Sequence, residues 1–217
     1  MIELKNISKK YKLPVGEISA LDNVNLMIYE NDYIGIIGHS GSGKSTLLNI
    51  IAGYEISDSG SYYYYDKDIS KYNYRQRINF NKKFGFIFQE YQLLNYLPVK
   101  DNIMIGNYYL SEKISNRRFN GIVDRLKINN LLQKYPDQLS GGEKQRVAIA
   151  RVLVGNRKII LADEPTGALD KENRGMIMDI FDDLYDSGLT IVIVTHDDSV
   201  AKHCQRIIRM DSGHVLD

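Results

Sequence analysis

Three short runs in this chain carry side chains whose types and spacing suit one chemistry. The stretch "GHSGSGKST" at 38–46 satisfies G-x-x-x-x-G-K-[ST] through Gly38, Gly43, Lys44 and Ser45, with His39, Ser40, Gly41, Ser42 and Thr46 completing it. Glycines in such a turn let backbone N–H groups curl around a phosphate, and the positive end of the following helix adds to the attraction. Lys44 is then the residue that bridges terminal phosphates, and the Ser45 hydroxyl the one that ligates Mg²⁺. "IILADEP" sets Asp163 and Glu164 where an apolar run ends, and open α/β sheets bind ligands at the carboxyl ends of their strands. An aspartate there can hold the Mg²⁺ shell, usually through water, and the adjacent glutamate can orient or deprotonate an attacking water. Four apolar residues before the pair argue against a merely solvated strand end. His196 follows "TIVIVT". Alone it reads as a satisfied core histidine; beside a nucleotide at the same sheet edge it reads as a contact to the γ-phosphate.

A hundred residues after the first loop, "LSGGEKQR" at 139–146 looks like a second phosphate-binding helix start. Ser140 and Glu143 have the S-x-x-E spacing of a capping box, and Val147, Ala150 and Val154 recur at helical spacing, so a well-capped helix accounts for much of it. Gly141 and Gly142 ask for more, since each glycine inside a helix costs up to ~1 kcal/mol relative to alanine. Removing side chains from a helix N-terminus is what close approach of an anion requires. The first loop already has its lysine and metal ligands. A second cradle for the same nucleotide makes sense if another molecule supplies it.

The elements that must position these groups follow from the apolar pattern. Short apolar runs at 33–37, 84–88, 158–162 and 190–194 alternate with helix-like segments, which predicts strands buried on both faces of a parallel sheet covered by helices. The first of them leads into the phosphate loop, and the helix that opens there carries Leu47, Leu48, Ile50 and Ile51 on one side, with Gly53 as its C-terminal cap. Residues 2–7 and 24–29 alternate apolar and polar, as half-exposed antiparallel strands do, and "KLPVGEIS" (12–19) between them reads as a turn. "YYYY" at 62–65 reads as a strand with tyrosines on both faces, not as a ligand platform. From about 96 to 139 helical periodicity runs without a strand, which predicts a helical subdomain inserted into a core made of about 1–95 and 140–217. A last strand is expected at 206–210, before a "DSG" turn.

Composition limits the rest. At 217 residues the chain is read as one domain spanning 1–217. Its 28 basic and 27 acidic residues leave a net charge of +1, which carries no footprint for nucleic acid or an anionic membrane. The N-terminus lacks the apolar core of a signal peptide and no run approaches the roughly 20 residues needed to span a bilayer, so a cytoplasmic address is expected. The single Cys204 excludes an internal disulfide and reads as structural.

In that order, "GHSGSGKST", "LSGGEKQR", "IILADEP", "GALD" and "THD" resemble the phosphate loop, signature, second Walker motif, D-loop and H-loop of an ABC-transporter ATPase subunit. The resemblance covers nearly the whole chain. It implies the ABC ATPase fold: a P-loop α/β core with a mostly parallel sheet, an N-terminal antiparallel β subdomain and an inserted α-helical subdomain. It also implies ATP and Mg²⁺ as ligands, and a head-to-tail homodimer with each ATP between the phosphate loop of one copy and Ser140, Gly141 and Gly142 of the other. By the same resemblance Gln89 of "FIFQE" is the Q-loop glutamine that senses Mg²⁺, Tyr11 of "SKKYKL" stacks on adenine, and Asp170 of "GALD" lies at the subunit interface. Glu164, His196 and Lys44 are its catalytic set; Ser45, Gln89 and Asp163 its metal set. Departures are mild: His39 stands where proline is common, Lys158 where proline often precedes the second Walker strand, and Glu143 where many members have glutamine. "YPDQLSGGEKQRVAIAR" and "LADEPTGALD" resemble the subgroup of lipoprotein-release, macrolide-efflux and peptide-resistance ATPases. That subgroup implies a separate membrane permease, attachment to the inner face of the membrane, and efflux or extraction of a drug, peptide or lipoprotein. A non-transporting regulatory ATPase of the cell-division type uses the same motifs. A tandem soluble ABC protein is disfavoured by the single nucleotide-binding unit, and a GTPase by the absence of N-K-x-D.

Overall fold

The computed structural model describes residues 1–14, 16–108 and 113–216. Two sheets organise it. Strands β1 (Ile2–Leu13), β2 (Gly16–Ile28), β4 (Ser59–Tyr64) and β5 (Lys67–Asp68) form an antiparallel sheet in the order β2-β1-β4-β5. Strands β3 (Tyr33–Ile37), β6 (Phe84–Ile87), β7 (Ile159–Asp163), β8 (Thr190–Thr195), β9 (Arg206–Asp211) and β10 (His214–Leu216) form the second, in the order β10-β9-β3-β8-β7-β6. All pairs in it are parallel except β9 with β10.

The continuous apolar runs exist because this sheet is covered on both faces. Successive side chains of a strand point to opposite faces, and they feed two separate cores. Ile191, Ile193, Ile160 and Ala162 join one cluster with the helices α5 (Gly141–Val154) and α6 (Lys171–Asp186). Val192, Val194, Leu161, Ile34 and Ile36 join the other, with the antiparallel sheet and α1 (Lys44–Ala52). Helices α3 (Val99–Met104) and α4 (Asn116–Arg125) lie in the stretch between β6 and β7, which also holds short 3₁₀ turns at Ile105–Asn107, Asn129–Leu131 and Pro136–Gln138, and their Val99, Ile103, Phe119 and Val123 share the cluster of α5.

Three expectations need adjusting. The segment 12–19 is not a turn: β1 and β2 stay paired out to Leu13↔Gly16, so the hairpin is longer than expected; Val15 lies outside the described residues. Helix α2 (Tyr74–Asn81) has no counterpart in the reading above; it is almost wholly polar, burying only Phe80, and starts at a capping box between Asn73 and Gln76. The "DSG" turn is followed by a further strand, β10. The last residues of the helical pattern read near 110 lie outside the described residues.

Candidate active site

The parallel register sets the site. Ile37 pairs with Thr195 and Asp163 with Val194, so the phosphate loop, the acid pair and His196 all leave the sheet at one edge. Helix α5 is joined to the start of β7 by a short turn and runs back for about 21 Å, which returns its first residue to that same edge.

Gly43 enters α1 with φ +98°, and a Cβ there would lie 2.2 Å from the Ala20 carbonyl oxygen, so no other residue fits. No side chain caps this helix, and its first N–H groups are left directed at whatever the loop encloses. The buried Lys44 ammonium donates to the carbonyls of Gly38 (2.9 Å) and His39 (2.8 Å), with the Ser42 hydroxyl at 3.4 Å. Burial pulls its pKa below the usual lysine value, against the pull of Glu164 and Asp163. Ser40, Gly41 and Thr46 complete the loop and first turn, with Ser40 and Gly41 exposed.

Ser45 donates from Oγ to Asp163 Oδ1 at 3.1 Å. Burial raises the Asp163 pKa, and the charge of Glu164 raises it further, while the Ser45 bond and Lys44 oppose. A carboxylate desolvated next to a hydroxyl is a pair of hard oxygens short of positive charge, which fits Mg²⁺. Glu164 sits at φ +46°, a conformation costing a non-glycine residue on the order of 1–3 kcal/mol. Neighbours hold it there: its N–H donates to Val194 O (2.9 Å), Thr195 Oγ1 donates to Oε2 (3.1 Å), and His196 Nδ1 lies 2.7 Å from Oε1. Facing a carboxylate, Nδ1 carries the proton. The His196 side chain remains 66% exposed, so its other edge is open to a ligand.

Ser140 caps α5 in a full capping box. Its N–H and hydroxyl donate to Glu143 Oε2 at 2.8 and 2.9 Å, and its Oγ accepts from the Glu143 N–H at 3.4 Å. The Ser140 N–H in particular holds the Glu143 carboxyl below its usual pKa. A Cβ on Gly142 would lie 2.3 Å from Asn173 Oδ1, and one on Gly141 3.2 Å from the Tyr91 phenol oxygen. Asn173 in turn donates to Asp170, the cap of α6, from its backbone (2.9 Å) and its amide (2.7 Å). Thus Ser140, Gly141, Gly142 and Asp170 form one corner, with Ser140 and Asp170 exposed, Gly141 half-buried and Gly142 buried beneath Asn173. Among the described residues no hydrogen bond ties that corner to the phosphate loop.

Gln89 is exposed just after β6. The loop beyond it is left-handed at both Tyr91 and Gln92, and Arg151 of α5 secures it by donating to their carbonyls at 2.6 and 2.5 Å. Asn102, fully buried in α3, ties the same loop down through Leu94 and Leu97. Tyr11 lies exposed in β1 with the Lys9 ammonium 5.4 Å from its ring centre. Thr195, Arg151 and Asn102 escaped the sequence reading. Thr195 adjoins His196 and could have been suspected; for the other two no local signal exists.

Comparison with known proteins accounts for this arrangement. The family model described as ABC transporter matches residues 21–167. Macrolide export ATP-binding/permease protein MacB of Campylobacter jejuni is 40% identical over the whole chain, and that of Haemophilus ducreyi 39%. The chain spans only about a third of these two relatives, 34% and 32% of their lengths. It spans 95% of the uncharacterized ABC transporter ATP-binding protein YknY of Bacillus subtilis, at 39% identity. The solved dimer of the ATP-binding cassette MJ0796 in a post-hydrolysis state with ADP and Pi superposes with a TM-score of 0.92 at 37% identity, covering 100% of this chain and 97% of that one. The chain therefore belongs to the ABC transporter family, as an ATP-hydrolysing ATP-binding domain homologous to the MacB-type ATPases.

Proposed function

We propose that two copies of this chain close head to tail on two ATP molecules and drive an integral membrane permease, for efflux or extraction of a drug, peptide or lipoprotein. The observation that carries the reading is the corner of Ser140, Gly141, Gly142 and Asp170, exposed at Ser140 and Asp170 and built at the sheet edge that holds the phosphate loop, yet unconnected to that loop by hydrogen bonds among the described residues. A second copy turned by 180° would bring that corner over the loop. Similarity to a cassette solved as a dimer, and to MacB proteins named as ATP-binding/permease proteins, supports the assembly and the class of cargo.

In this reading the first N–H groups of α1, with Gly38 to Thr46 and Lys44, bind the phosphates, and Tyr11 stacks on the adenine. Ser45 and Asp163 hold Mg²⁺ and Gln89 reaches toward it; when bound, the ion would offset charge on the terminal phosphates. Glu164, aligned by Thr195 and His196, takes the proton of the attacking water, and His196 presents its exposed edge to the γ-phosphate. Residues 96–139 form the helical subdomain that meets the permease, between core segments 1–95 and 140–217. The subunit rests on the inner face of the membrane through that partner; no helix among the described residues is long and apolar enough to cross a bilayer.

Light scattering of Glu164→Gln with ATP and Mg²⁺ tests the assembly. A stable dimer that forms with ATP, does not form without it, and loses turnover by about 10²–10⁴-fold is expected. A variant that stays monomeric at saturating ATP, or hydrolyses at the wild-type rate, refutes the shared site or the role of Glu164.

A further inference from the structure

We infer that His39 is a proton-linked determinant of nucleotide affinity: an imidazolium fixed on the phosphate loop that tightens polyphosphate binding while charged and weakens it once neutral. The inference deepens the nucleotide reading above and rests on it.

Its basis is a count of donors. Nδ1 of His39 lies 2.7 Å from the Ser40 carbonyl oxygen, and Nε2 lies 2.6 Å from Asp211 Oδ1. A carbonyl oxygen only accepts, and an ionised carboxylate only accepts. A neutral imidazole carries one N–H and could satisfy one of the two; satisfying both requires the imidazolium. The electrostatics agree, since the Ser40 carbonyl first and Asp211 next raise the His39 pKa, with Lys44 opposing, while His39 holds the Asp211 carboxyl below its usual range.

Asp211 ends β9, and the hairpin of β9 and β10 packs against the phosphate loop at two further points. Gly213 donates its N–H to Ser42 O at 3.1 Å, and a Cβ on Gly38 would lie 2.2 Å from Met210 O. The ionisable groups around His39 are therefore few. Asp211 faces it directly, with His214 beyond on the same hairpin; Lys44 faces it from α1, and Asp22 of β2 sits 3.8 Å from His214. The His39 side chain is 61% exposed, so it exchanges its proton with solvent freely.

The direction of the effect follows. Below its raised pKa the ring is cationic, neutralises Asp211 and adds a positive charge to the loop. As pH rises through that pKa the ring loses one donor and its charge, and Asp211 is left as an unbalanced anion beside the polyphosphate. Both changes weaken binding.

The test is titration calorimetry of the full chain with ADP and Mg²⁺ from pH 6.5 to 9, on wild type, His39→Gln and Asp211→Asn. Comparison with His39→Gln cancels the titration of ADP itself. The wild type is expected to lose about two- to fivefold in affinity relative to His39→Gln across the range, the scale of an exposed charge pair, and Asp211→Asn to move the midpoint to lower pH. Nitrogen chemical shifts of the His39 ring, assigned by substitution among the four histidines, should show both nitrogens protonated at pH 7. A neutral tautomer at pH 7, or a pH profile shared by wild type and His39→Gln, overturns the inference and leaves the nucleotide site intact. Failure of the wild type to bind ADP at any pH removes the nucleotide reading, and the inference with it.

Discussion

Two helices in this molecule start with glycine and serine at one sheet edge, and they start differently. Helix α1 has no side-chain cap; its first turn is surrounded by Lys44, Ser45 and, across the loop, Asp163 and Glu164. Helix α5 is closed by its own side chains, with Ser140 and Glu143 exchanging hydrogen bonds, and a carboxylate stands in its first turn. An uncapped helix end ringed with charged groups can take a phosphate within its own chain. A capped, glycine-stripped end with an acid beside it lacks the charge to hold one alone, and in the proposed dimer it would cover a phosphate bound by the other copy. Similar local sequence thus yields a primary site and a complementary surface, and the side chains around each decide which.

Lys44→Ala attacks the primary site and should have the largest effect: turnover falling by about 10²-fold or more, with nucleotide binding weakened in each monomer, as read by steady-state hydrolysis and calorimetry. Ser140→Arg attacks the complementary surface. Hydrolysis should fall by roughly 10²-fold while a monomer binds ATP as the wild type does; retained hydrolysis would erase the distinction between the two ends. Glu143→Ala removes only the carboxylate half of the capping box and should destabilise the fold by about 0.3–1 kcal/mol in denaturant unfolding. Because the folded pKa of Glu143 is depressed, that contribution exists above its unfolded pKa and disappears as pH falls through the folded value. The smallest effect on stability has the opposite sign. Asp163 has a raised folded pKa, so its ionised form weakens the fold as pH rises past the unfolded value, and the penalty is complete once pH exceeds the folded value. Asp163→Asn should therefore raise the melting temperature by about 1–4 °C without nucleotide or Mg²⁺ while abolishing turnover, and a lower melting temperature would show that the Ser45 bond outweighs desolvation.

Legibility followed burial. Strands β3, β7 and β8 could be read because a sheet covered on both faces requires unbroken apolar runs, and the phosphate loop could be read because few residue types tolerate its backbone. The distal halves of β1 and β2 could not, since they project as an exposed two-stranded ribbon with no buried face to impose alternation. Helix α2 was missed for the same reason, although Asn73 and Gln76 announce its start.

The sequence by itself determined the groups present: a glycine-rich loop with its lysine, a serine hydroxyl and an aspartate of the kind that can hold a metal, a glutamate of the kind that can activate water, and a second glycine-rich helix start. Each is a local matter of residue type and backbone freedom. Only the tertiary structure decided who meets whom. His39 finds Asp211 across 172 residues, Arg151 holds Gln92 across 59, and Ser45 reaches Asp163 across 118. Those meetings depend on strand order and register, which arise from burying two apolar faces at once, and no short window of sequence contains that information.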